Sequence, residues 1–321
     1  MKYLVTGNAG FIGSSIANKL LHSGCSVYGI DNFTTGLKRN IDERVKFIEG
    51  DFSKDETITK LNNIKFDGIF HIGGQSSGEI SYESPEYDLN ANTVSTLKLL
   101  QYCVDNGCKK FIYASTMSIY GDNDNKEQFS ELEETNPKSF YAVGKLASEK
   151  YMQIFLEHFG INYVILRYFN VYGPGQNLEN MKQGMVSIYL KQFLDESFEK
   201  VIVKGDTNRF RDLVYIDDVV DITIEAMRNN KFKNKIINIG TGEKITVKKI
   251  LNLIQEYTKS TKKIEVIENT PGDKFGIYAN NNKLLSLYDK SLLSFEDGLK
   301  KMIEWTQCLN AGCVIKNKNK V

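Results

Sequence analysis

The sequence predicts an α/β protein, a doubly wound parallel sheet with a smaller C-terminal α/β lobe built onto it. Three observations carry that prediction. Tyr3-Leu4-Val5 reads as a short buried strand that passes through a glycine-rich turn, Gly7 to Gly13, into an amphipathic run with Ile16, Leu20 and Leu21. Further short apolar runs recur between helix-length segments, and each ends in small or polar residues, where a doubly wound sheet presents its ligand. After about residue 170 the alternation loosens into shorter strands among helices. The expected division is therefore a sheet domain over 1–170, a lobe mainly over 171–307, and a lysine- and asparagine-rich tail over 308–321 that frays.

Composition narrows the possible partners. With 321 residues, 41% hydrophobic and 25% charged, the chain can bury a sizeable core in one large domain or two smaller ones. A net charge of +1 gives no general attraction to a polyanion or an anionic bilayer, so neither a nucleic acid nor a membrane is expected as partner. No apolar run approaches spanning length, and the first strand follows Met1-Lys2 directly, leaving no room for a leader; the expected location is the cytoplasm. Five scattered cysteines, an odd number, suit a reducing compartment. Cys308 and Cys313 come nearest to a metal pair, but His22, His71 and His158 are scattered and no metal is expected.

Taken in order, the elements place chemistry at strand ends. Glycines at 7, 10 and 13 let the backbone approach a pyrophosphate, which the free amides of the following helix favour; Phe11 and Ile12 lie inside the same turn. By itself the motif also fits a plain glycine turn. The second strand, 26–30, ends in Asp31, where an acid accepts both ribose hydroxyls of an adenosine and repels a 2'-phosphate. Asn32 brings no compensating cation, so NAD is expected rather than NADP. A third strand, 45–49, leads to Gly50-Asp51-Phe52; Asp51 fits an adenine contact or a turn residue equally well. A fourth, 66–71, ends in His71, which reads as structural, and continues into Ile72-Gly73-Gly74-Gln75.

Residues 85–106 form one helix-length segment, and a fifth strand, 110–114, runs into Ser115-Thr116. Residues 122–134 are acidic and read as solvated surface. Asn136-Pro137 with Ser139 announces a helix to about His158, and a sixth strand spans 163–167. Beyond it, strands are expected at 201–203, 213–215 and 236–239, with helices near 186–195, 217–229, 246–258 and 294–307.

The helix after Ser139 carries Tyr141-Ala142-Val143-Gly144-Lys145. Residues i and i+4 share a helix face, so phenol and ammonium point into the same space. A tyrosine titrates near ~10, and a close cation lowers that by about one to three units, toward a usable general base. Such a pair alone is as readily a solvated helix face. It gains meaning from an ordered series: Thr6-Gly7-x-x-Gly10-Phe11-Ile12-Gly13, Asp31-Asn32, Gly50-Asp51, His71, Asn92, Ser115-Thr116 before Tyr120-Gly121, Tyr141-x-x-x-Lys145, Asn170-Val171-Tyr172-Gly173-Pro174, Arg211-Asp212 before Asp217-Asp218, and Pro271-Gly272-Asp273. Over nearly the whole chain this series resembles the extended short-chain dehydrogenase/reductase family, the nucleotide-sugar epimerases and dehydratases, which have a Rossmann sheet.

The resemblance implies NAD as cofactor, contacted by Gly7, Gly10, Phe11, Ile12, Gly13, Asp31, Asn32, Asp51, Phe52, Asn92, Tyr141 and Lys145, and a nucleotide sugar as substrate. It makes Tyr141 the base, gives Lys145 the nicotinamide ribose and the task of lowering the phenol, and has Thr116 bond the reacting hydroxyl. Asn170 and Arg211 would grip the diphosphate, Asp273 would lie near the nucleoside ribose, and Ser76 would line the sugar side, where UDP-galactose 4-epimerases have a lysine. Lys204 likewise stands where they stack an aromatic on uracil. Read from the residues alone, Thr116 could instead satisfy strand-end backbone, and Arg211 could pair with Asp212 or Asp217.

Met117-Ser118 occupy the place where sugar 4,6-dehydratases of this family have Asp-Glu. The glutamate of its decarboxylases and the cysteine of its 3,5-epimerases are also missing. What remains is alcohol oxidation and ketone reduction, so the expected activity is that of a nucleotide-sugar 4-epimerase, similar to UDP-glucose/UDP-galactose 4-epimerases. A 4-dehydrogenase or 4-ketoreductase would use the same residues. A non-catalytic NAD-binding regulator is the reading from another class, and intact Thr116, Tyr141 and Lys145 argue against it. A homodimer is expected through 85–106 and 139–158, on the resemblance and on apolar residues Leu97, Leu100, Met152 and Phe155.

Overall fold

A computed structural model describes residues 1–121, 127–268 and 275–311. Seven strands form a parallel sheet: β1 (Lys2–Thr6), β2 (Ser26–Asp31), β3 (Lys46–Glu49), β4 (Gly68–His71), β5 (Lys110–Thr116), β6 (Asn162–Tyr168) and β7 (Lys235–Ile239). Their order across the sheet is β7-β6-β5-β4-β1-β2-β3. The order reverses between β1 and β4, and that reversal opens a crevice at the carboxyl ends of the strands.

The strands are apolar on both sides because helices cover both faces. Tyr3 and Val5 of β1 enter one core with Ile16 and Leu20 of helix α1 (Phe11–His22), while Leu4 enters the other with Leu99, Leu100 and Met152. The same alternation sends Ile112 and Ala114 of β5 to the first core and Phe111 and Tyr113 to the second. Each fully buried side chain of this size contributes ~1.5–3 kcal/mol.

The segment expected to be one helix is helix α2 (Pro85–Leu89), a π-helical turn (Asn90–Val94) and helix α3 (Ser95–Asn106). Periodicity does not register one inserted residue, so the π-turn was invisible in sequence. Helix α4 (Phe140–Phe159) starts at Ser139, whose Oγ accepts from Ala142 N at 3.2 Å, and stops at Gly160, where φ is 66°. Its buried stripe is Tyr141, Lys145, Ser148, Glu149 and Met152, at helical spacing.

Several expectations need correction. The boundary at 170 does not part the sheet, since β7 pairs with β6 and helix Ile216–Arg228 contributes Val219 and Ile222 to the core shared with β1. The smaller lobe is built from helices Met185–Leu194 and Val247–Thr258 with paired strands Lys200–Lys204 and Lys263–Ile267. The acidic segment before Pro137 is not merely solvated: Gln128–Phe129 pairs with Tyr278–Ala279, and Phe129 is buried against Tyr120. Residues 122–126 of that segment lie outside the described residues. At the C-terminus helix Phe295–Asn310 continues into the expected tail; residues from 312 lie outside the described residues.

Candidate active site

The crevice begins with the glycine turn. Gly7 has φ 68°, and a side chain there would come within 2.6 Å of Gly73 Cα; one at Gly13 would meet Gly7 O at 2.1 Å. The turn therefore packs backbone on backbone against α1 and against the segment after β4. Phe11 and Ile12 open α1, whose first amides have no intrahelical acceptor and suit an anion. At the end of β2, Asp31 is 7% exposed; Oδ2 accepts from Ala9 N (3.0 Å) and Oδ1 from Phe33 N (2.8 Å). Burial pushes its carboxyl up, and those amides, with that of Asn32, pull it back. Each oxygen keeps a second lone pair for a ribose hydroxyl.

Asn32 bonds Thr34, and Asp51 accepts from Ser53 N at 2.8 Å as a turn residue does. Phe52 packs edge-on against His71, ring centres 5.6 Å apart. His71 is structural as expected: its Nδ1 meets Thr6 Oγ1 (2.8 Å), its Nε2 meets Thr96 Oγ1 (3.0 Å), and burial pushes its pKa down.

Asn92 lies in the π-turn, donates to Asp88 Oδ1 at 3.0 Å, and leaves Oδ1 buried without a hydrogen-bond partner. A side chain at Gly74 would fall 2.4 Å from that oxygen and 3.4 Å from Lys145 Nζ. An orphaned buried acceptor beside a lysine and a close-packed glycine turn fits NAD, for which Gly7 to Gly13 would meet the pyrophosphate, Asp31 the adenosine ribose, and Lys145 and Asn92 the nicotinamide half.

Tyr141 and Lys145 meet as their spacing predicted. Lys145 is 4% exposed, donates to Ala114 O at 3.0 Å, and has Nζ 4.8 Å from the Tyr113 ring centre and 6.0 Å from that of Tyr141. Burial pushes its ammonium down to about 8, with the carboxylates of Asp88 and Glu149 holding it up. The expected depression of the phenol is not found. Burial pushes Tyr141 up to about 12; a hydrogen bond from Thr116 pulls it down and the Asp88 charge adds to the rise. Desolvation of the phenolate is the largest effect, and the Thr116 bond does not offset it.

Thr116 ends β5 and interacts with Tyr141, while its Oγ1 also accepts from Ser118 N at 3.1 Å. The bond from Ser118 N fits the strand-end reading of Thr116. Beneath it is a buried network that sequence did not announce. Arg167 of β6 binds Glu149 of α4 through Nε (3.1 Å) and Nη2 (2.8 Å), and its Nη1 donates to Tyr120 Oη at 2.9 Å. Ser115 Oγ donates to Glu149, and Tyr120 Oη to Asn238 of β7. Three strands thereby hold the helix that presents Tyr141.

On the lobe side, Asn170 donates to Asp212 O at 3.0 Å, and Ser76 is bonded by Gln183 Nε2 at 3.0 Å. Asp212 does not serve Arg211: its oxygens accept from Thr241 N and Oγ1, Gly242 N and Ala279 N, at 2.8 to 3.0 Å. Arg211 lies in strand Phe210–Arg211, and burial followed by the charge of Arg209 pushes it down to about 10. Asp273 lies outside the described residues. Among the described residues no cluster of His, Cys, Asp or Glu could hold a metal ion.

A doubly wound sheet with this site defines an NAD-linked dehydrogenase scaffold. The model of the NAD dependent epimerase/dehydratase family matches residues 3–240, and the chain belongs to that family. A putative UDP-glucose 4-epimerase of Methanocaldococcus jannaschii is 33% identical over 94% of this chain and 97% of its own length. The crystal structure of a UDP-glucose 4-epimerase with UDP-glucose from Thermotoga maritima superposes with a TM-score of 0.92 at 33% identity, covering 97% of this chain and 100% of that one. A UDP-glucose 4-epimerase from Thermus thermophilus in complex with NAD gives 0.88 at 31% identity, covering 96% and 99%.

Proposed function

We propose that the chain is an NAD-dependent nucleotide-sugar 4-epimerase, of the kind that interconverts UDP-glucose and UDP-galactose. The observation that carries this reading is the convergence of the Tyr141 phenol, the Thr116 hydroxyl and the Lys145 ammonium beside the glycine turn. When bound, NAD supplies the acceptor and donor of a hydride and, in its oxidised form, a positive charge. Tyr141 removes the proton from the sugar O4 and later returns it. Thr116 holds that oxygen by a hydrogen bond, so proton removal occurs from a fixed position. Lys145 would hold the nicotinamide ribose and carries its charge on the same helix face as the phenol. Since burial outweighs the Thr116 bond and leaves Tyr141 near 12, its use as a base at neutral pH depends on positive charge in the crevice.

The smaller lobe would hold the nucleotide through the diphosphate, with Arg211 and Asn170 as its partners; a guanidinium suits phosphate by its paired donors. Affinity placed in the nucleotide leaves the sugar free to turn between the two half-reactions. Met117 and Ser118 after Thr116 support epimerisation over dehydration, since neither serves as an acid or base. Purified protein incubated with a panel of nucleotide sugars and no added nicotinamide tests the reading: epimerised sugar is expected. A stoichiometric burst of 4-ketone would mark a dehydrogenase, and no conversion of any sugar would favour a regulator.

The assembly we propose is a homodimer through α2, α3 and α4, but not through all the residues first considered. Leu100 and Met152 lie in the monomer's own core. The exposed apolar face is Leu89, Phe140, Val143, Tyr151, Ile154 and Phe159. Light scattering at micromolar concentration is expected to give twice the chain mass, and a monomer would contradict this assembly. Among the described residues no helix is long and apolar enough to cross a membrane. Cys103 and Cys108, buried and free, support a cytoplasmic setting.

A further inference from the structure

We propose that Asp88 is a positioning residue of the site, holding the charge of Lys145 by its own and tethering the Ser76 segment through Gln75. Asp88 is 1% exposed, and its Oδ1 accepts from Gln75 Nε2 at 2.9 Å and from Asn92 Nδ2 at 3.0 Å. Its Oδ2 faces α4, 3.5 Å from where a side chain on Gly144 would begin, one residue from Lys145. Gln75 is also buried; its Nε2 donates to Ser77 O at 2.6 Å, and its Oε1 accepts from Ser77 N. One carboxylate thus joins three pieces of the crevice: the segment 75–77, the π-turn with Asn92, and the helix of Tyr141 and Lys145.

A buried carboxylate with two amide donors is costly to keep unless a cation faces it. Lys145 on α4 is that cation: burial pushes the Asp88 carboxyl up to about 6, and the charge of Lys145, followed by the Asn92 bond, holds it down. The other groups facing Lys145 are Glu149 and Tyr141 on its own helix, Tyr113 from β5 and His71 from β4. His71 is kept neutral by burial and the tyrosines are uncharged near neutral pH, so beside the Ala114 carbonyl and the Tyr113 ring the charged groups that favour the ammonium are Asp88 and Glu149. Glu149 is already spent on Arg167. Removing the Asp88 charge therefore lowers the pH at which Lys145 loses its proton.

The test follows the Cε resonance of Lys145 in 13C-lysine-labelled protein, assigned by its loss in Lys145→Met. Its titration midpoint is expected to fall by about one unit in Asp88→Asn and to stay within about 0.3 unit in Asp88→Glu, which keeps the charge. A merely structural role would leave the Asp88→Asn midpoint where it is in the wild type, and that result overturns the proposal. If Asp88→Asn does not fold, Asp88→Ser, which removes the charge and leaves a smaller polar group, is expected to show the same fall. The tether to Ser76 rests on the epimerase reading: Gln75→Leu should raise KM about tenfold with kcat little changed, and an unchanged KM overturns it. A wild-type protein without epimerase activity would refute that reading separately, because the NMR titration needs no substrate.

Discussion

Tyr141→Phe is expected to keep the fold and NAD binding while turnover falls by at least ~10²-fold, the usual scale for losing an acid-base group. The ring is buried in the crevice wall and its packing survives the substitution; only the oxygen is lost. Thr116→Val should fall less, since it removes a group that orients the substrate rather than the base. Lys145→Met should weaken the cofactor and slow the reaction together. The comparison is made by kcat and by NAD affinity on each variant. Near-native turnover in Tyr141→Phe would contradict the assignment, because among the described residues no other ionisable group is placed beside Thr116 by the same geometry.

The second large effect is on stability. Arg167→Met leaves Glu149 buried with Ser115 as its remaining donor in the network, and such a broken pair costs ~3–5 kcal/mol. Urea denaturation should therefore show a clearly lower midpoint. Replacing both partners, Glu149→Leu with Arg167→Met, is expected to recover most of that loss, since two buried charges no longer need each other. A single variant as stable as the wild type would mean that solvent reaches the pair.

The sheet strands were legible because both faces are covered, so strands appear as apolar runs and glycines mark the turn. Helical spacing put Tyr141 and Lys145 on one face, and the ordered series of motifs around them gave that pair its meaning. Other parts of the site were not. Asp88, Gln75, Glu149 and Arg167 come together from α2, the segment after β4, α4 and β6, and none carries a local pattern. Asp88 had one available signal, its place four residues before Asn92, but the π-turn that shapes that stretch leaves no trace in hydrophobic periodicity. β7 was seen as a strand and assigned to the wrong layer, because sequence order does not say which sheet a strand joins. The phenol pKa failed for a different reason: proximity to a cation was legible and the depth of burial was not.

The most direct test of the account follows hydrogen at the reacting carbon. A nucleotide sugar carrying deuterium at C4 is converted by the purified protein, without added nicotinamide, in ordinary water. If the hydride leaves C4 and returns to the opposite face of the same carbon, the epimer retains its deuterium at C4 by NMR and mass spectrometry. Loss of the label to solvent, or its appearance at another carbon, would contradict oxidation and return at C4.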